Sequence, residues 1–133
     1  MRLAVDAHAI GQNLTGNEVY VRSLLCGLAS LDRRSDFLAY VSSGEAAGCV
    51  PARMRTRMVS TNPFVRLGGE LSRHLRRDRP DLLHVQYTAP LACPVPVVVS
   101  VHDVSFLEHP EYFSAARAAQ LRCTVRRTVR RAA

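Results

Sequence analysis

Short apolar runs alternate along the chain with stretches whose apolar positions recur at helical spacing. Val97, Val98 and Val99, with Val101 after Ser100, form a β-branched run bounded by Pro94 and Pro96. It predicts a central parallel strand, buried on both faces. His102 and Asp103 stand directly at its carboxyl end. At the other end of the chain, Arg2 to Ala7 reads as a short apolar strand. It is followed by a loop from His8 to Gly16 that contains Gly11, Asn13 and Thr15. A helix opens near Asn17, with Val21, Leu24, Leu25 and Leu28 on one stripe.

Phe37 to Val41 predicts a second strand, and Ser42 to Ala52 a loop punctuated by Gly44, Gly48 and Pro51. Met54 to Val59 alternates apolar residues with arginine, as a half-exposed edge strand does. A helix between Pro63 and Arg79 aligns Leu67, Leu71, His74 and Leu75, although Gly68 and Gly69 weaken its first turns. Pro80 and Asp81 end it, Leu82 to Tyr87 is a fourth strand, and the proline-rich loop Thr88 to Pro96 leads into the valine run. Ser114 is placed to cap a last helix with Ala118, Leu121, Val125, Val129 and Ala132 on one stripe.

Strands alternating with helices in this order predict an α/β domain, a Rossmann-like doubly wound parallel sheet with right-handed crossovers. The expected strand order, 3-2-1-4-5, puts the carboxyl ends of the first and fourth strands side by side at the topological switch point, where such sheets bind ligands. The loops at Asp6 to Gly16, His84 to Pro90 and His102 to Phe106 should therefore share one rim. Asp6, His8, His84, Gln86, Tyr87, Ser105 and Phe106 are its candidate lining residues. His102 and Asp103 are the leading candidates for chemistry.

A chain of 133 residues suits one domain. The formal charge of +7 comes from eighteen arginines and eleven acids. Six of the arginines (Arg117, Arg122, Arg126, Arg127, Arg130 and Arg131) follow Glu111, the last acid, which leaves twelve against eleven before it. The excess thus belongs to the last helix. It reads first as the solvated face of a sheet-packing helix, and second as a surface that touches anionic lipid. Nucleic acid is the least favoured partner, because no aromatic residues interleave with these arginines. The four cysteines lack the paired spacing of zinc or redox motifs and read as reduced, buried small hydrophobes in a cytoplasmic protein. No apolar run reaches the length that spans a bilayer.

Four motifs in order, Val5-Asp6-Ala7, Leu14-Thr15-Gly16-Asn17-Glu18-Val19-Tyr20, Pro80-Asp81-Leu82-Leu83-His84-Val85-Gln86-Tyr87 and Val101-His102-Asp103-Val104-Ser105-Phe106, cover nearly the whole chain. Together they resemble the N-terminal domain of GT-B glycosyltransferases of family four. The resemblance implies one of two Rossmann-like domains that face a cleft, the acceptor-side half of an enzyme that moves a hexose or related sugar, with retention, from a nucleotide-diphosphate sugar to a glycan or lipid-linked acceptor. It implies no cofactor and no metal. It further implies that Gly16, with Asn17, lies near the donor pyrophosphate, and that His102 and Asp103 approach the donor sugar. The second glycine and the arginine that many relatives carry just after that glycine are replaced here by Asn17, Glu18 and Val19. The donor half, with its paired glutamates, has no counterpart in these residues, so the chain is expected to be an incomplete N-terminal domain that is inactive alone. Cytoplasmic placement, with peripheral contact at the inner face of the membrane through the basic helix, goes with this reading.

Other readings of the same residues remain open. His102 and Asp103 could cap a turn, His84 could be a packed core histidine, Asp6 could anchor its loop, and Gly16 could be an ordinary turn residue. A non-catalytic Rossmann-like module that binds a nucleotide or phosphate is the alternative function. A dinucleotide dehydrogenase is disfavoured, because the first loop lacks Gly-x-Gly-x-x-Gly.

Overall fold

The structure is a computed structural model and describes residues 1–13 and 15–132. Five parallel strands, β1 (Arg2–Asp6), β2 (Asp36–Val41), β3 (Arg55–Met58), β4 (Leu82–Gln86) and β5 (Val97–Ser100), form one sheet in the order β3-β2-β1-β4-β5. This is the expected doubly wound topology. Helix α1 (Thr15–Leu31) and the short α2 (Gly44–Gly48) cover one face, and α4 (Leu71–Asp78) covers the other.

The pleat sorts the core. Leu3, Val5, Phe37, Ala39 and Val41 bury their side chains with Val21 and Leu25 of α1. The alternate positions Ala4, Leu38, Tyr40, Leu83 and Val85 pack with Leu71 and Leu75 of α4. A buried polar cluster stitches the second face together. Asp78 accepts from the Tyr40 hydroxyl at 3.0 Å and pairs with Arg57 at 2.6 Å, while its carbonyl accepts from Arg2 at 2.8 Å.

The segment before α4 is continuous with it but irregular. Asn62 caps α3 (Pro63–Val65) by accepting from the Phe64 N–H at 2.9 Å, and a π-helical turn, Arg66–Glu70, links α3 to α4. Gly68 and Gly69 lie within that turn and do not break the helix; the Leu71 N–H donates to the carbonyl of Arg66, the wider spacing of a π turn.

Several expectations need correction. The valine strand is an edge strand among the described residues, and Val98 is 39% exposed. Its β-branched composition reported strand character but not position in the sheet. Within the stretch read as loop, Ser43 caps α2 by accepting from the Ala46 N–H at 3.0 Å. The last helix, α6 (Ala115–Val129), is capped by Ser114 as expected, but it buries Ala118, Val125 and Thr128 and leaves Val129 exposed. Cys26 and Cys123 are exposed, and all four cysteines are free thiols. Among the described residues no helix is long and apolar enough to cross a membrane.

Candidate functional site

The carboxyl ends of the strands open into a cleft of about 480 Å³. Three loops meet there as expected, represented by His8 after β1, Tyr87 after Gln86 at the end of β4, and Asp103, Ser105 and Phe106 after β5. Asn17 lines the cleft from the first turn of α1, and Gly16 is in that same turn, not in the preceding loop. The space around Gly16 is open, with no atom within 4 Å of where a Cβ would stand. Leu14, part of the motif quoted for this loop, lies outside the described residues.

Register explains why the β4 and β5 loops meet. Gln86 pairs with Ser100, so both strands end level and the two following residues cross the same rim. His102 Nε2 lies 3.1 Å from Gln86 Oε1. The Gln86 carboxamide thus holds the ring through Nε2, and no hydrogen bond from Nδ1 is found among the described residues. The imidazole is held edge-on between Tyr20 and Tyr87, with ring centroids 4.4 and 5.5 Å away. His102 is exposed but does not itself line the cleft.

Asp103 has both oxygens engaged. Oδ1 accepts from the Ser105 N–H at 3.0 Å and the Ser105 hydroxyl at 2.6 Å, and Oδ2 accepts from the Tyr87 hydroxyl at 3.0 Å. The bonds from Ser105, then that from Tyr87, hold its carboxyl below the usual carboxylate range. It is an ionised anchor for the loop that turns from β5 into α5 (Ser105–Glu108). The same contact fixes Tyr87, whose φ of 60° is in the left-handed region.

His84 and Asp6 lie deeper. His84 is buried, and its Nε2 closes a triangle with the Ser100 hydroxyl at 2.9 Å and the Tyr20 hydroxyl at 3.3 Å, the two hydroxyls being 2.7 Å apart. Burial, above all, lowers its pKa, so it is a neutral packed residue beneath the rim. Asp6 is buried as well. Burial opposes its ionisation, but the charge and hydrogen bonds of His8, aided by Arg66, outweigh that cost and lower its pKa. His8 Nδ1 is 3.0 Å from Asp6 Oδ1, and Arg66 Nε is 3.6 Å from Oδ2. Asp6 therefore anchors two residues of the cleft wall and does not line the cleft itself.

The sequence reading missed the opposite wall. Arg66 and Thr61 reach the cleft from the segment after β3, and Arg117, Gln120 and Thr124 reach it from α6. A lone arginine in the apolar run Phe64-Val65-Arg66-Leu67 was the available signal for the first of these. The α6 residues carry no such signal, because a surface helix shows polar positions whether or not it borders a cleft. Among the described residues no cluster of three or more His, Cys, Asp or Glu could hold a metal ion.

A family model described as Glycosyltransferase Family 4 matches residues 14–133. No curated protein matches the chain.

Proposed function

The chain belongs to glycosyltransferase family 4, and we propose that it is the acceptor-side module of a retaining enzyme that transfers a hexose or related sugar from a nucleotide-diphosphate donor to a glycan or lipid-linked acceptor. The observation that carries this reading is the placement of the rim. The open first turn of α1, the Gln86–His102 pair and the cleft all stand at the carboxyl ends of β1, β4 and β5.

Each part has a fitting chemical role. The first-turn N–H groups of a helix have no partner within the helix and favour phosphate oxygens, and the open space around Gly16 lets a ligand approach those of α1. The oriented imidazole of His102 offers Nδ1 to a sugar hydroxyl, a positioning task in a reaction whose transition state is oxocarbenium-like. Asp103, with its oxygens occupied, shapes the loop and does not attack the sugar. No resident cofactor is required for this chemistry. Peripheral contact with anionic lipid through the free arginines of α6 belongs to the same proposal.

The test is turnover across a panel of nucleotide sugars, measured for the 133-residue chain and for the chain joined to a family donor domain. Turnover by the joined protein alone is the expected result. Transfer by the chain alone would overturn the division of labour, and a folded joined protein that binds nucleotide sugar without transferring it to any acceptor would overturn the transferase reading.

A further inference from the structure

Among the described residues Arg66 is the most deeply buried arginine. Its side chain is 5% exposed, yet it borders the cleft. Its one ionic partner, Asp6, approaches Nε only to 3.6 Å, and Nε has no hydrogen-bond partner. No hydrogen bond from the guanidinium is found among the described residues. A guanidinium presents five N–H donors in a planar fork and stays charged at any ordinary pH. Nε is shut off from solvent without a hydrogen-bond partner, which is costly for a charged group unless its remaining N–H donors are well supplied with acceptors.

A purely structural counter-ion to Asp6 should close to hydrogen-bond distance. Arg57 does so with Asp78, at 2.6 Å. Arg66 does not, and His8 already takes the other carboxylate oxygen. The backbone around Arg66 is also unusual. It begins the π-helical turn Arg66–Glu70, a local widening that proteins use disproportionately at functional sites. Asn17, from the positive end of α1, lines the same cleft, and Asp103, the carboxylate there, has its oxygens engaged by Ser105 and Tyr87. The unfilled hydrogen-bonding capacity of Arg66 itself is donor capacity.

We infer that Arg66 binds an oxyanion of the acceptor, a phosphoryl or carboxylate group, so that this module takes an acidic acceptor. The inference rests on the reading of the cleft as an acceptor site. A fork of N–H donors fits two oxygens of either group at once, which a lysine cannot match. Asp6 stands nearest Nε, and the remaining N–H donors of the guanidinium, for which no hydrogen bond is found among the described residues, are those left for the ligand.

The probes are inorganic phosphate and acetate, with glucose as the neutral control and a nucleoside diphosphate as the donor mimic. They are titrated into the full chain by calorimetry and by NMR of the arginine side-chain N–H signals. Phosphate and acetate should move the Arg66 signal, and glucose should not. Arg66→Gln should weaken phosphate binding by about tenfold or more, and Arg66→Lys should restore part of it. Equal phosphate binding by a folded Arg66→Gln variant overturns the inference. If that variant does not fold, an Arg66 signal in the native chain that ignores phosphate and acetate overturns it equally. A signal that answers only the nucleoside diphosphate assigns the anion to the donor and also overturns it. None of these readouts needs sugar transfer, so loss of this inference and loss of the transferase reading are separate results.

Discussion

The hydroxyl of Thr128 on α6 accepts a hydrogen bond from the backbone N–H of Ala89 at 3.0 Å, across 39 positions of sequence. Both residues are buried, and the same hydroxyl donates to the carbonyl of Thr124 at 2.9 Å. This clip fastens α6, and with it the α6 wall of the cleft, to the loop that follows β4. Thr128→Val keeps the shape but leaves a buried N–H unsatisfied. The expected loss is about 1–3 kcal/mol of stability in urea unfolding. Thr128→Ser should lose less, because it keeps the bond and gives up a methyl group. Equal losses in the two variants would show that packing, not the bond, is what matters.

Why the fold was legible and part of the site was not follows from the same residue. Strand order and the three-loop rim rest on alternation of element types, which local apolar period reports well. Thr128 is polar, and its neighbour Val129 is apolar, so a stripe drawn by hydrophobicity selects Val129. The long-range partner at Ala89 selects Thr128 instead. Arg66 was passed over for a related reason. Its burial depends on a π turn and on Asp6, sixty positions earlier, neither of which has a local signature. His102 was found because a strand end followed by an imidazole is itself a local pattern. Its exclusion from the cleft lining is not local, being set by Gln86, Tyr20 and Tyr87.

The Asp78 cluster offers a second stability test. Asp78→Ala removes the acceptor of the buried Tyr40 hydroxyl and the partner of Arg57, which is itself half-buried. Stability should fall by about 1–3 kcal/mol for the stranded hydroxyl, with a further contribution from Arg57. Tyr40→Phe combined with Asp78→Ala should recover part of that loss in a double-mutant cycle. Strict additivity of the two would show that the hydroxyl and the carboxylate do not depend on each other.

Stability should also depend on pH through His84. Its folded pKa is depressed, chiefly by burial, below the ordinary value of 6.5. The native state then holds fewer protons than the unfolded one, and stability falls as pH drops below about 6.5 toward the folded value. His74, lowered first by burial and then by Arg57, adds to the same trend. The carboxyls of Asp6 and Asp103 are also depressed, so their contributions are present above the ordinary carboxylate range and are lost only in stronger acid. Urea midpoints between pH 7.5 and 5.5 should therefore decline for the native chain. A flatter profile is expected for His84→Gln, and an unchanged slope would remove His84 from the account.

The arginines of the last helix should not behave alike. Arg127 donates to the carbonyls of Pro90 and Leu91, and Arg131 donates to that of Leu91, so both tie α6 to the loop after β4. Among the described residues no such bond is found from Arg126 or Arg130, which are exposed. Arg126→Gln with Arg130→Gln should leave the melting temperature nearly unchanged while reducing salt-sensitive adsorption to vesicles that contain anionic lipid. Arg127→Gln should lower the melting temperature. Equal thermal effects from the two replacements would mean that the carbonyl contacts contribute nothing.

The last prediction concerns how His102 acts in the transferase assembled with its donor domain. The Gln86 carboxamide holds its Nε2, and the edges of Tyr20 and Tyr87 fix its plane. An imidazole held this way can orient a hydroxyl without first reorganising, and such an interaction counts most when it is stronger in the transition state than in the bound substrate. His102→Ala should therefore stay folded and bind the nucleotide sugar nearly as well, yet lose about 10²-fold or more in kcat. Gln86→Leu should lower kcat less, because it frees the ring without removing it. A loss in KM alone for His102→Ala would assign it to ground-state binding, and an unchanged kcat and KM would return it to a packing role between the two tyrosines.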